Sequence, residues 1–362
     1  MNIFRSVSSS SSDAGIFRNE DALMPNYLPD SVLHRQREVG EIAYALRNIP
    51  KGRKPENVLL TGPSGTGKTT CSRHVLRELS EYTQRAVPIY VNCWEYSTRF
   101  SILNLVVTKL GEILPRRGIA VDEIIDRISQ ICRLENKVPV LVLDEIDRLL
   151  ISAHGEEKLL YDIARSGENF GVNFGLVGIT NNESFQSLLD PRVKSSLSFV
   201  HMKFDRYSPT QLKDILNARS QVAFAPGVVE GEVIPVCAAM GAKYGGDARV
   251  SITALWKAGR RAEKRGSSRV AIEDAKAVAP EVLEELKKQD FALLSDIEKE
   301  IVKIVKDSGG KIESGPLYLK LAKKGIEDRN ARNYISKLVA AGFLKAEDVQ
   351  KKLGRTREIS LA

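Results

Sequence analysis

Residues 62–69 read Gly62-Pro63-Ser64-Gly65-Thr66-Gly67-Lys68-Thr69, a complete G-x-x-x-x-G-K-[ST] loop. The loop follows the apolar run Val58-Leu59-Leu60-Thr61 and opens a helix predicted from about Lys68 into the eighties. That order constrains the fold, because a strand must deliver the loop and a helix must start at its end. The glycines let successive backbone N–H groups turn toward a polyphosphate. The helix N-terminus adds a partial positive charge and Lys68 a full one. Thr69 is placed to hold Mg²⁺, and Pro63, Ser64, Gly65, Thr66, Gly67 and Thr70 complete the cradle. A glycine turn with an exposed lysine would share the letters, but would not need the flanking strand and helix. The loop predicts nucleoside triphosphate binding and leaves open what the nucleotide is used for.

With 362 residues the chain has room for two or three domains with proper cores. Hydrophobic content of 43% and charged content of 28% are those of an ordinary globular protein. The longest clean apolar run, Val138 to Leu143, is too short to span a bilayer, and no long apolar segment marks a signal peptide. The 4 cysteines and 4 histidines are scattered, which argues against zinc and a disulfide framework and for a reducing cytoplasm. A net charge of +8 raises the prospect of a polyanionic partner. From Phe291 to Ala362 there are 15 Lys/Arg against 10 Asp/Glu, so one fifth of the chain carries more than half of the surplus.

Residues 6–13 form a serine-rich tail expected to be disordered. A helix is predicted from about Leu33 to Arg47. After the phosphate loop, helices alternate with the β-rich runs Val87–Cys93, Val138–Leu143, Gly171–Thr180 and Ser198–Phe204, the pattern of a parallel sheet flanked by helices. At Ser208-Pro209, a good N-cap followed by a favoured first helical residue, the pattern turns all-helical. Helices are expected near 209–224, 229–243, 246–265 and 271–289. The last 72 residues predict helices near 295–307, 315–323 and 328–341, then strands Phe343–Glu347 and Thr356–Leu361 around a basic turn. Three helices and a hairpin make a winged helix.

Val140-Leu141-Val142-Leu143-Asp144-Glu145 is an apolar strand that ejects paired acids at its C-terminal end. In a P-loop sheet that end lies beside the phosphate loop. Asp144 is the candidate Mg²⁺ ligand and Glu145 the candidate that orients the attacking water; a strand followed by a solvated acidic turn is the alternative. At this point the sequence resembles the AAA+ ATPases. The resemblance implies ATP/ADP with Mg²⁺, a polar sensor at Asn181 in Gly178-Ile179-Thr180-Asn181-Asn182, and an arginine finger at Arg192 in Asp190-Pro191-Arg192. It also implies a second sensor at Arg249 in Gly246-Asp247-Ala248-Arg249. Tyr27, Leu28 and Pro29, with Leu33-His34-Arg35-Gln36-Arg37-Glu38, resemble the adenine-side segment, and Tyr207 joins the nucleotide-binding set. An Asn-Asn turn, surface arginines and ordinary core residues are the plainer readings of these positions.

The resemblance narrows to the archaeal initiators of the origin recognition complex and cell-division-cycle-six family. It rests on Ile16-Phe17-Arg18-Asn19-Glu20, Arg37-Glu38, Asp144-Glu145-Ile146-Asp147, Arg192 to Ser196, Tyr207 through Arg219, and Gly246 to Arg249, and spans about Ile16 to Leu361. Bulky Trp94-Glu95-Tyr96 and the serine tail depart from the family pattern. The implied fold is α/β: an AAA+ P-loop parallel sheet with a helical lid, plus a C-terminal winged-helix domain. The corresponding boundaries are a tail at 1–15, a nucleotide-binding core at 16–206, a lid at 207–290 and a winged helix at 291–362.

The predicted helix Asp328–Ala341 turns Ala331, Ile335, Leu338 and Val339 to the core and Arg329, Arg332, Asn333, Ser336 and Lys337 outward. In helix-turn-helix proteins such a helix enters the major groove, where Arg pairs with guanine and Asn with adenine. Lys351, Lys352, Arg355 and Arg357 on the wing suit phosphates; a solvated basic face used for protein contacts is the alternative. Residues 94–118 form an insertion whose Arg99, Arg116 and Arg117 are candidate DNA contacts by resemblance, while Ile102, Leu103, Leu105 and Val106 suit a helix capping the sheet edge. The expected function is that of an ATP-dependent, nucleoid-associated initiator with slow hydrolysis. It would bind double-stranded origin DNA, deform it and help recruit the MCM helicase, with paralogous initiators as possible partners. The alternatives are an AAA+ transcription regulator and a Holliday-junction branch-migration ATPase.

Overall fold

The computed structural model describes residues 15–114, 119–151, 156–324, 326, 328–340, 343–351 and 354–361. These residues form two compact units, dividing at Ala279/Pro280. No described helix is long and apolar enough to cross a membrane.

In the first unit the elements run α1 (Gln36–Leu46), β1 (Val58–Thr61), α2 (Lys68–Tyr82), β2 (Ala86–Asn92), α3 (Arg99–Lys109) and α4 (Val121–Glu135). They continue with β3 (Val138–Asp144), α5 (Lys158–Ala164), β4 (Gly175–Thr180), α6 (Pro191–Leu197), β5 (Val200–Lys203), α7 (Pro209–Ala223), α8 (Val233–Lys243) and α9 (Ala248–Lys264). α10 (Ile272–Leu293) contains the division between the units. The β-rich runs of the sequence become β2 to β5: β2 is shifted by one residue, β3 reaches one residue further to Asp144, and β4 and β5 are shorter than the predicted runs.

The five strands are parallel in the order β2-β3-β4-β1-β5. Parallel strands need crossovers, and these lay helices on both faces, so the strands read as continuous apolar runs. Side-chain alternation then sorts the residues. Leu59, Leu141, Leu143 and Leu176 face a core made with Ile102, Leu103 and Val106 of α3, Ile124 and Ile128 of α4, and Leu160 of α5. Val58, Leu60, Val140, Val142, Val177 and Ile179 face the opposite core, made with Ile42 and Leu46 of α1 and Val75 of α2. A residue on either face is sealed, and every strand of the centre ends at the same edge.

The first helix of the lid, α7, begins at the residue where the sequence placed a helix start. Ser208 Oγ accepts from Gln211 N at 3.2 Å and Gln211 Oε1 accepts from Ser208 N at 2.9 Å, a reciprocal cap ahead of Pro209. The segment before the core packs on the lid. Arg18 N and Asn19 N both donate to Ala223 O, and Phe17 stacks on Phe224 with ring centroids 4.9 Å apart. Trp256 Nε1 of α9 donates to Glu20 Oε1 at 2.6 Å.

In the second unit, α11 (Asp296–Asp307), β6 (Lys311–Glu313), α12 (Ser314–Ala322) and α13 (Asp328–Ala340) precede β7 (Leu344–Lys351) and β8 (Gly354–Leu361). The sheet is antiparallel in the order β6-β8-β7. Its core joins Ile301, Val305, Leu317, Leu321, Ala331, Ile335, Leu338, Leu344 and Ile359. β6 is an addition to the predicted three helices and two strands. Three residues are too few to show alternation, and only the pairing of Lys311, Ile312 and Glu313 with Ser360, Ile359 and Glu358 defines the strand.

Leu141 is fully buried in the middle of β3. Leu141→Ala is expected to destabilise the first unit by about 2–5 kcal/mol, through lost burial plus a residual cavity. Chemical denaturation followed by circular dichroism measures this, and a loss below about 1 kcal/mol would show that the helices close over the gap.

Candidate functional site

β4 lies between β1 and β3, with Thr61 beside Thr180 and Asp144 beside Ile179. The three strand ends therefore bring the phosphate loop, Asn181 and the Asp144-Glu145 pair together, with Asn181 in the middle. Lys68 Nζ donates to Gly62 O at 2.6 Å, to Pro63 O at 2.8 Å and to Asn181 Oδ1 at 2.9 Å. Asn181 Nδ2 lies 3.4 Å from Glu145 Oε1 and 3.3 Å from Ser64 Oγ. One amide thus touches the loop lysine and the second carboxylate. Thr69 Oγ1 donates to Asp144 Oδ2 at 2.7 Å, the pairing suited to a shared Mg²⁺.

The loop fits a polyphosphate on its own geometry. α2 starts at Lys68 directly after Gly67, whose φ of 93° only glycine adopts freely. Gly65 has φ 72°, and a Cβ there would lie 1.8 Å from Asp247 Oδ1. That second number shows the lid pressed against the loop. Ala248 N at the start of α9 donates to Gly65 O at 3.2 Å. Asp247 caps α9 by accepting from Arg249 N at 2.8 Å, and its other oxygen accepts from Arg249 Nη2 at 2.6 Å. Arg249 is close enough to the loop for its charge to act on Lys68.

Charge in this pocket is shifted from ordinary values. Burial lowers Lys68 to about 8, against the pull of Asp144 and Glu145. Glu145 is raised, chiefly by burial and then by repulsion from Asp147 and Asp144. Its backbone is left-handed, with φ 56° in a non-glycine residue. Tyr207 is pushed by burial up to about 12, so its phenol stays protonated; a Cβ on Gly67 would lie 2.6 Å from its hydroxyl.

Tyr27, Leu28 and Pro29, the segment expected to meet the base, are half-buried. Arg219 of the lid sits over the Tyr27 ring at 4.5 Å, and Arg77 Nη2 donates to Pro29 O at 3.3 Å. Arg192, with a side chain 87% exposed at the start of α6, has its Nε 3.4 Å from Asp190 Oδ1.

The DNA candidates divide. Arg99 needs correction. Its side chain is largely buried, with Nη2 2.6 Å from Asp162 Oδ2 and 3.6 Å from Asp122 Oδ1. Burial pushes the Asp162 carboxyl up and Arg99 pulls it back, so the arginine serves a structural ion pair within the core layer and not a phosphate contact. α3 itself caps the sheet through Ile102, Leu103 and Val106. In the second unit Arg332 and Asn333 are exposed on α13, opposite the buried Ala331 and Ile335, and Arg357 is exposed on β8. Arg116, Arg117 and Lys352 lie outside the described residues, as do the side chains of Arg329, Lys337, Lys351 and Arg355.

Three contributors escaped the sequence. Tyr90 OH donates to Asp144 Oδ2 at 2.8 Å, from a strand position that pattern alone marks as ordinary. Asp247 entered the sequence reading only as part of the Gly246–Arg249 stretch, and its contact with the loop at Gly65 was not anticipated. Arg35 is a buried cation against the loop, within a segment read for the base. The unusual Trp94 stacks under Arg148, whose guanidinium carbon is 3.1 Å from the ring centroid.

Two expectations follow. A triphosphate restores the charge on Lys68, so nucleotide binding near pH 8 should take up about half a proton per site. Calorimetric enthalpies in buffers of different ionisation enthalpy measure this, and Lys68→Ala should abolish it; a buffer-independent enthalpy in the unaltered protein would count against it. Glu145→Gln should retain nucleotide binding and slow hydrolysis by roughly 10²–10⁴-fold, read as phosphate release in single turnover.

A family model described as an AAA domain matches residues 52–186, and one described as a Cdc6 AAA+ ATPase-type lid domain matches residues 213–279. The ORC1-type DNA replication protein 1 of Aeropyrum pernix is 35% identical over 367 residues, covering 96% of this chain and 92% of that protein. That of Sulfurisphaera tokodaii is 34% identical over 375 residues, covering 99% and 94%. The solved structure of the Aeropyrum pernix ORC1 protein in complex with DNA matches with a TM-score of 0.73 at 34% identity, over 96% of this chain and 94% of that one. Likeness sustained through loop, carboxylates, lid and second unit alike means that this chain belongs to the ORC1-type DNA replication protein family of AAA+ ATPases.

Proposed function

We propose that the chain is an ATP-dependent initiator that binds duplex origin DNA, deforms it and helps recruit the MCM helicase. The observation that carries this reading is the full-length likeness to ORC1-type DNA replication proteins, one of them solved with DNA. The phosphate loop, with Lys68, Thr69 and Thr70, would hold ATP or ADP, with the base against Tyr27, Leu28 and Pro29. Thr69 and Asp144 would hold Mg²⁺, which supplies charge neutralisation to the phosphates. Glu145 orients the attacking water, Asn181 fixes that carboxylate, and Arg249 reads the phosphates from the lid. Arg192 serves a neighbouring protomer's nucleotide. Hydrolysis is slow and the ATP/ADP state acts as a switch, because the lid rests directly on the loop at Gly65 and moves with what the loop holds.

The second unit is the DNA reader. α13 would enter the major groove with Arg332 and Asn333, joined by Arg329 and Lys337, while Lys351, Lys352, Arg355 and Arg357 would follow the backbone. From the insertion, Arg116 and Arg117 are the remaining candidates. Paralogous initiators are the expected companions on the origin, in the nucleoid.

Footprinting on the host's own DNA with ATP and with ADP tests the reading. A discrete protected site that differs between the two nucleotides is expected, and no protected site with either nucleotide would overturn it. Arg332→Ala should weaken binding at one base position by about 1–3 kcal/mol, whereas Arg357→Ala should weaken all sequences and reduce the salt slope by about one. Equal losses on specific and random duplexes for Arg332→Ala would remove it from base readout.

A further inference from the structure

One buried cation has no part in the roles assigned so far. His34 has φ 58°, a left-handed conformation that histidine adopts at some strain, and this turn starts α1 with Arg35 directed inward. Arg35 is only 5% exposed. Its Nε donates to Thr66 O at 3.0 Å, in the phosphate loop between Gly65 and Gly67. Its Nη2 donates to Asp205 O, in the linker between β5 and the lid. Its Nη1 donates to Glu38 Oε1 of α1 at 2.9 Å. The guanidinium carbon lies 4.3 Å from the Tyr207 ring centroid and 5.3 Å from that of Phe204, which flank Asp205 in the same linker. His34 beside it reaches α7, with Nε2 2.8 Å from Asp214 Oδ2.

The linker that Arg35 grips also touches the start of α9. Tyr207 N donates to Gly246 O at 3.4 Å, and a Cβ on Gly246 would lie 2.5 Å from Tyr207 O. Asp247 and Arg249 follow immediately. One planar group therefore bonds a carbonyl of the phosphate loop on one side, and a carbonyl and two ring faces of the lid linker on the other. The directed fork makes this possible. A lysine ammonium is compact, does not stack as a plane, and cannot hold the two carbonyls at fixed separation.

We propose that Arg35 is a positioning residue that couples the phosphate loop to the lid linker, so that a change at Thr66 is passed to Asp205–Tyr207 and on to the second sensor. It does not bind the phosphates, because the donors aimed at the loop and linker are taken by backbone carbonyls. The coupling is separate from the direct contact of Asp247 with Gly65. It rests on the AAA+ site alone and requires no DNA.

The test uses the full chain with ADP and a non-hydrolysable ATP analogue. Hydrogen exchange of the amides of residues 205–212 is followed with and without nucleotide, alongside nucleotide affinity. Nucleotide is expected to slow these amides in the unaltered protein. In Arg35→Lys, which retains the charge and loses the fork, that nucleotide-dependent slowing should shrink by about fivefold or more, with a much smaller change in ADP affinity. A merely structural arginine would instead raise exchange equally in both states. Equal loosening, an unchanged response, or no response in the unaltered protein overturns the proposal. If Arg35→Lys does not fold, Phe204→Leu decides. It leaves Arg35 and its backbone partners in the sequence and removes one of the two rings under the guanidinium, so the same selective loss is expected and an intact response overturns the coupling.

Discussion

The ammonium of Lys68 is a charge drawn into the end of an apolar sheet, and much of the molecule answers it. Burying a cation without compensation is strongly unfavourable. Here two loop carbonyls and the Asn181 amide take its protons, while Asp144 and Glu145 supply the opposing field. Those partners come from three different strands. They converge only because β4 lies between β1 and β3 and the three strands end at the same edge. The two cores above and below the sheet hold that edge still. Burial weakens the lysine and raises the glutamate together, so the pocket is set to gain a proton when polyanion arrives.

The lid is built into this arrangement at several points. Asp247 lies against Gly65, Tyr207 against Gly67, and the segment from Ile16 to Leu23 packs on α7 and α9 before the chain enters the core. The chain thus passes from lid to core at Tyr27-Leu28-Pro29, the segment assigned to the base, and returns at Asp205–Tyr207. Both crossings are held by arginines, Arg219 over Tyr27 and Arg35 over Tyr207. A lid attached in this way can respond to the loop without a large change in the sheet.

Much of the site was legible because strand ends and helix starts leave local signatures. The phosphate loop, the Asp144-Glu145 pair and the Ser208-Pro209 cap were visible in neighbouring residues, Asn181 through the family resemblance, and the structure brings the loop, the pair and Asn181 to one edge of the sheet. Arg99 misled because a basic residue in an insertion looks free until Asp162 and Asp122 are known to face it. Tyr90 was hidden for the opposite reason. Its ring has the look of an ordinary strand residue, and its hydroxyl meets Asp144 only through the register of β2 on β3. β6 carries no pattern in three residues and exists through its partner strand.

By itself the sequence determined the chemistry available to this protein: a glycine-lined loop at a strand-to-helix junction, paired carboxylates at a strand end, and a helix with one apolar and one basic face. These are short-range properties, set by backbone freedom, capping and periodicity. Tertiary structure decided which charges are spent on holding the fold and which remain to act. Arg35 and Arg99 have the same side chain as Arg192, yet only Arg192 is left largely in solvent. The difference lies in which carbonyls, rings and carboxylates the packing of distant segments brings against each guanidinium, and that depends on contacts between residues far apart in the sequence, such as the 170 residues from Arg35 to Asp205.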